Sequence, residues 1–267
     1  MKRKLASILT ALALCLSLCP GWAFAVEEEP DGAGDPMPLS TGDIELTQGT
    51  RAIFTEAGCG GNCPGHRITQ ADSTTAVDAT YVYVESGEHK VTFSGLNLTG
   101  ANTGVMPGGT MHLTIDGSNS IAANNLAGIY VPETATLTID GSGSLEVRSS
   151  RSGAGIGGAL YAPDSTGGNL DCGKVVIDGG TITVTGGSDS AGIGGARGRS
   201  NSPGGNGGDV TINGGNVTVT GGAGTWGGSA IGGTVGTPTG CGGTLTIKGG
   251  HVTLTAKSQE KNAFPSQ

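Results

Sequence analysis

One apolar residue placed just before a turn returns along this chain at Phe93, Ile115, Ile139, Ile177, Ile212 and Ile247, at intervals of 22, 24, 38, 35 and 35 residues. A recurrence of that length limits the chain to architectures in which one small unit stacks on the next. Around each index residue the pattern is an alternating run, a glycine turn and a second alternating run. Val175-Val176-Ile177-Asp178-Gly179-Gly180-Thr181-Ile182-Thr183-Val184 is one example, and Val210 to Val219 is another. Alternation with β-branched residues reads as strands, and Asp-Gly or Asn-Gly as a tight bend. No helical period occurs after residue 25.

Intervals of 22 to 24 residues carrying two or three short strands match one coil of a parallel β-helix. Propeller blades need about 40 to 45 residues. Hairpins of a sandwich would satisfy the strands locally but give no reason for stacked columns. Composition agrees with the solenoid. Gly numbers 53 of 267 residues and aromatic residues are 4%, which suits a narrow interior filled by Ile, Val and Leu. There is no glycine at every third position, so collagen is excluded. Hydrophobic residues at 35% and charged residues at 13% argue against disorder. The expected fold class is all-β, a right-handed parallel β-helix with Gly-rich loops on one face.

A second column, Val105, Ile129, Ile156, Ile193 and Ile231, lies part-way round each coil. From it to the next index residue the step is 10 residues twice, then 21, 19 and 16. The added length therefore enters at one phase, and in a solenoid such insertions become loops on one face, often the binding face.

Residues 1–25 read as a secretory signal, with Lys2, Arg3 and Lys4, an apolar stretch from Leu5 to Cys19, and Ala23-Phe24-Ala25 as the cleavage site. That stretch falls short of the roughly 20 residues a membrane span needs. Residues 26–45 read as an acidic Pro/Gly linker, 46–257 as the β-helix and 258–267 as a tail. Without the signal, 11 basic residues face 22 acidic ones, a formal net charge of −11. Such a surface repels phosphate backbones and anionic lipid, so the partners expected exclude nucleic acid and membrane insertion. The chain is expected to be secreted or held at the cell surface. No cap or sorting motif marks the end at Lys261 to Gln267, so that end of the coil is expected to pair with something else, or the chain to be a truncated piece.

The run Gly65-His66-Arg67-Ile68-Thr69, with Glu85 to Leu98, Leu137 to Leu145 and Gly153-Ala154-Gly155-Ile156-Gly157-Gly158, resembles secreted bacterial carbohydrate-binding domains built on a pectate-lyase-like right-handed β-helix. The resemblance covers roughly residues 50 to 257. It implies non-catalytic binding of acidic plant or surface polysaccharide, with calcium sites. A pectate-lyase-like enzyme is the alternative, and a structural surface stalk a third reading.

Site residues follow from chemistry. Sugar binding uses aromatic faces and polar loop groups, which points to Trp226, Tyr161, Tyr130, Arg197 and Arg199. The residues after the index positions include Asp116, Asp140 and Asp178, expected as one file of carboxylates about 4.8 Å apart. Ca²⁺ between them would relieve their repulsion, whereas the other reading makes them turn residues chosen for backbone geometry. Lyase chemistry would need a basic residue beside bound calcium, and Arg148, Arg151, Arg197 and Arg199 are candidates. Cys59 and Cys63, with three residues between them, suit a local disulfide. Cys172 and Cys241 hold nearly the same phase two coils apart, beyond bridging reach unless the loops bend together. Gly204 to Asp209 as a calcium nonapeptide, Gly153 to Gly158 as a dinucleotide fingerprint and Gly168 to Lys174 as a P-loop each lack a required partner.

Overall fold

The three-dimensional structure is a computed structural model that describes residues 36–37, 44–49, 51–54, 65–78, 81–84, 86–100, 104–124, 126–160, 169–199 and 201–257. Among these residues there is no helix, and every strand pairing is parallel. Three sheets form the walls of a coil. Sheet I runs from Ile44–Leu46 through His66–Gln70, Glu88–Ser94, Thr110–Asp116, Thr136–Gly141, Lys174–Ile177 and Asp209–Ile212 to Thr244–Ile247. Sheet II runs from Val77–Asp78 to His251–Thr255, and sheet III from Pro36–Met37 to Ile231–Gly232. Each sheet takes one strand per coil. The fold is the expected right-handed parallel β-helix, the hand that parallel crossovers adopt.

Alternation explains the core. In Ser144–Ser149, Leu145 and Val147 are buried, while the residues between them are more exposed. Inward side chains from all three sheets form one apolar cluster extending from Ile44 to Ala230. Pro36–Met37 lies inside the segment expected as linker and Ile44–Leu46 begins within it, so strands pair with the coil before residue 46. The signal, the 258–267 tail, Cys59, Cys63 and Tyr161 lie outside the described residues.

The second column stands as expected, with Val105, Ile129, Ile156, Ile193 and Ile231 in register on successive strands of sheet III. The index column does not hold as one line. Phe93 pairs with Ile115, but Ile115 then pairs with Gly141, and Ile139 pairs with Leu113. From there Ile139, Ile177, Ile212 and Ile247 are in register. The line therefore steps by two residues between Thr110–Asp116 and Thr136–Gly141, one coil before the strands shorten to four residues in Lys174–Ile177. Ile115 then overhangs the turns of the following coils. A Cβ on Gly180 would lie 2.5 Å from Ile115 Cδ1, so glycine there leaves room for it.

The nearly shared phase of Cys172 and Cys241 resolves into an offset of one residue. Lys174, Asp209 and Thr244 are in register, which aligns Asp171 with Asn206 and Cys241, and sets Cys172 one position further on. Asn206 N–H donates to Asp171 Oδ1 at 2.6 Å, and Cys241 N–H to Asn206 Oδ1 at 2.7 Å, along that line. One residue of offset turns a side chain to the opposite face. Cys172 is buried, Cys241 is exposed, and both are free thiols. Burial, reinforced by the neighbouring Asp171 charge, pushes the Cys172 thiol up to about 12. Since the thiolate is the reactive form, iodoacetamide at neutral pH is expected to label Cys241 in the native protein and Cys172 only after denaturation. Peptide mapping checks this, and native labelling of Cys172 would contradict it.

Candidate functional site

The loops that depart furthest from a minimal coil lie on both sides of the narrow sheet III strands. The described residues 158–160, 169–173, 195–199, 201–208 and 233–243 fall between a strand of sheet III and the next strand of sheet I, the phase expected from the spacing. Segment 221–230 enters sheet III from sheet II, at the opposite corner. Because Ile193–Gly194 and Ile231–Gly232 are only two residues long, loops from the two corners meet across them. Between 195–208, 221–230 and 233–243 lies a cleft of about 370 Å³, lined by Arg197, Arg199, Asn201, Ser202, Trp226 and Thr237, among others. Three of the five residues expected to contact sugar are thus brought together.

The cleft is braced from behind by a residue that sequence reasoning missed. Asp189 sits in the short loop 186–192 with φ of 56°, and its side chain is 1% exposed. Its Oδ1 accepts the N–H groups of Trp226 at 2.7 Å and Gly227 at 2.8 Å. Its Oδ2 lies 3.0 Å from the Arg197 guanidinium. Arg197 in turn lies over the Trp226 ring, 4.8 Å from its centroid, a cation–π distance. One carboxylate therefore fixes both the backbone that carries the indole and the cation on its face. Trp226 is nonetheless 51% exposed. An isolated acid between glycines and serines in a loop was the available signal, but Asp in such loops is common for turn geometry alone.

The walls are tied as well. Thr234 Oγ1 donates to the Ala196 carbonyl at 2.8 Å and accepts the Gly205 N–H at 3.0 Å. Thr237 N–H donates to the Ser202 carbonyl at 2.9 Å. Among the described residues no carboxylate, histidine or cysteine lines the cleft. Its described lining offers an aromatic plane, two guanidinium groups, an amide and hydroxyls, a set that suits a polar ligand with an anionic group.

The other expected site residues lie elsewhere. Tyr130 is buried in a small cluster with Met106, Ala127 and Ala159, and its hydroxyl accepts the Asn169 N–H at 2.9 Å. Its ring is therefore no surface platform. The acidic file also divides at the register step. Asp116 pairs with Ser94, whereas Asp140, Asp178, Asn213 and Lys248 follow the in-register isoleucines. Asp116 accepts Arg67 at 2.6 Å. That hydrogen bond and the Arg67 charge hold its carboxyl below the usual range. Asp140 Oδ1 accepts its neighbour Gly141 N–H at 2.6 Å, and Asp178 Oδ1 accepts the Asn213 amide at 2.6 Å. Among the described residues no three His, Cys, Asp or Glu side chains are grouped to hold a metal ion. The single file of three carboxylates is thus reduced to Asp140 and Asp178, with Asp116 displaced from them by the register step.

A larger depression of about 560 Å³ follows the turn between sheets I and II, lined by Asn97, Ser118, Ser144, Glu146 and Thr181, among others. It holds neither an aromatic face nor a cation, so the smaller cleft is the better candidate. Compared with known protein families, curated proteins and solved structures, the chain shows no match to any of them.

Proposed function

We propose that this protein binds an acidic polysaccharide without cleaving it, as a secreted or cell-surface module, and that the Trp226 cleft is its binding site. The observation that supports this most directly is the half-exposed indole of Trp226 beside Arg197 and Arg199 in one braced cleft. A pyranose ring has an apolar face that an indole can cover, while its hydroxyls need fixed polar partners. A uronate carboxylate adds an acceptor suited to the planar fork of arginine. Asp189 pairs with Arg197 and holds it in place on the indole, so the cleft presents its aromatic face and its guanidinium groups in one fixed arrangement. Localisation rests on the signal-like pattern of residues 1–25.

Trp226 is the chain's only tryptophan after residue 25, so its fluorescence reports on the site directly. Titration with polygalacturonate is expected to change that fluorescence and to retain the protein on an affinity gel, with no rise in ultraviolet absorbance. Trp226→Ala is expected to weaken retention at least tenfold, about 1.4 kcal/mol, while leaving the unfolding midpoint unchanged because the ring is on the surface. Appearance of unsaturated products would instead establish a lyase. Failure to bind any of a panel of acidic and neutral polysaccharides would favour the stalk. Repeating the titration in EDTA and in Ca²⁺ tests whether calcium assists.

A further inference from the structure

The loops that turn from sheet II into sheet III stack on one another at one corner of the coil. In three successive coils they are residues 150–155, 186–192 and 221–230. The strands before them are in register, with Arg148 beside Thr185 and Thr185 beside Thr220. Backbone contact continues past the strands. Gly187 N–H donates to the Gly153 carbonyl at 3.0 Å, and Gly222 N–H to the Ser190 carbonyl at 2.9 Å. The tip of the third loop is tied back as well, through the two N–H groups that Asp189 accepts from Trp226 and Gly227. Arg151, the Asp189 loop and the Trp226 loop are therefore three consecutive levels of one connected surface.

Charge sets Arg151 apart on that surface. It is exposed and forms no ion pair among the described residues, whereas Arg197 is paired with Asp189 and Arg148 with Glu146. The one carboxylate in the three loops is Asp189, and it is buried. In a chain with 22 acidic residues against 14 basic ones, these loops show solvent positive charge and no negative charge. A locally positive surface on an acidic protein draws an anionic ligand to that place and not to the rest of the molecule.

We propose that Arg151 is a second anion subsite beside the Trp226 cleft, and that the bound polysaccharide runs along the coil axis from the indole to this guanidinium. The inference rests on the reading of that cleft as a polysaccharide site. Coils repeat at about 4.8 Å, close to the advance of one pyranose ring along an extended chain. The Trp226 loop and Arg151 are two coils apart, about 10 Å. A chain with one ring on the indole therefore brings the ring two places further on to Arg151.

This arrangement selects a class of ligand. A polyuronate carries a carboxylate on every ring, so one of them reaches Arg151, whose planar fork accepts it with two parallel hydrogen bonds. A neutral chain gains nothing there, and a single acidic sugar on the indole does not extend to it. The preference is thus for at least three consecutive uronate rings, set by the rise of the coil and by the spacing between Trp226 and Arg151.

Titration of Trp226 fluorescence with galacturonate oligomers of two, three and four units tests this. Affinity is expected to rise about tenfold from two units to three, the size of one hydrogen-bonded charge contact, and little from three to four. Arg151→Glu is expected to remove that rise while leaving the two-unit ligand within about twofold of the wild-type value at physiological salt. Arg151→Gln, which takes away the charge without reversing it, is expected to lose the same step, and so guards against a disturbed corner in the first variant. Lys90→Glu makes the same change of charge at an exposed position on sheet I and is expected to keep the step. No rise between two and three units, a rise that survives both Arg151 substitutions, an equal loss at both lengths, or a matching loss from Lys90→Glu would each overturn the proposal and leave the Trp226 cleft standing as a site. A wild-type chain whose fluorescence answers to no galacturonate oligomer or polymer would overturn both.

Discussion

Gly194→Ala is expected to lower the stability of the coil by at least about 4 kcal/mol, a large part of the 5 to 15 kcal/mol that folded domains possess. Gly157, Gly194 and Gly232 stand in register on three successive strands of sheet III. Gly194 has φ of 139°, a conformation costly for any residue with a Cβ. A Cβ built there would overlap the carbonyl oxygen of Gly232 and stand 3.0 Å from its nitrogen and carbonyl carbon. These are backbone atoms of the next coil, held by the Gly195 N–H bond to the Gly232 carbonyl at 3.0 Å, so no side chain can swing aside. Relief requires the two coils to separate, which removes several hydrogen bonds of about 1 kcal/mol each and adds the left-handed penalty of about 1 to 2 kcal/mol. The thermal midpoint is expected to fall by about 10 °C or more. Gly242→Ala is the matched control, since a Cβ there meets nothing within 4 Å. Equal midpoints for the two variants would show that the close approach of the sheet III backbones is not what holds the coils together.

The second large effect is expected at Asp189. Asp189→Ala leaves the Trp226 and Gly227 N–H groups without their acceptor and Arg197 without its counter-charge. It also places alanine at φ of 56°, where the short polar side chains of Asp and Asn are tolerated better. Each orphaned donor costs about 1 to 3 kcal/mol, so a total loss near 3 kcal/mol follows, with polysaccharide retention abolished as the Trp226 loop loses its anchor. Asp189→Asn separates the causes. The amide oxygen can still accept from the backbone, but its NH₂ group cannot pair with a guanidinium, so stability is expected to fall less while binding still weakens. Chemical unfolding and tryptophan fluorescence of the two variants measure this. Wild-type retention by both would show that the brace has no part in the site, whatever became of their stability.

Lowering pH acts on a different contact. The Asp116 carboxyl is held below the usual carboxylate range by Arg67, so that link contributes above the ordinary carboxylate pKa and disappears as pH falls through the lowered value. Both partners are exposed, at 41% and 53%, so the contact is screened and its effect small.

Which side chains point inward was legible from the chain alone, and the reason is the two-residue period of a strand. The alternation in Val175 to Val184 predicted burial residue by residue, and Val175, Ile177, Ile182 and Val184 are all fully buried. The loop phase was legible for 158–173, 195–208 and 233–243 because added length registers directly in the spacing. The same spacing could not place segment 221–230, and hence Trp226, at the opposite corner.

Register was not legible, and for the same reason that facing was. Thr114-Ile115-Asp116-Gly117 and Thr138-Ile139-Asp140-Gly141 are the same tetrapeptide, yet Ile115 pairs with Gly141 and Ile139 with Leu113. A shift of two residues leaves every side chain on its original face, so no hydrophobic pattern distinguishes the two alignments. A shift of one does the opposite, which is why Cys172 is buried while Cys241 is exposed. Alternation and spacing, being local, determined the coil, its interior and the segments that leave it. Which residues meet from one coil to the next was decided only when strand lengths, turns and loops were packed together, because that choice depends on space between coils that no single stretch of chain records. The division of the acidic file and the convergence of Asp189, Arg197 and Trp226 both belong to that second class.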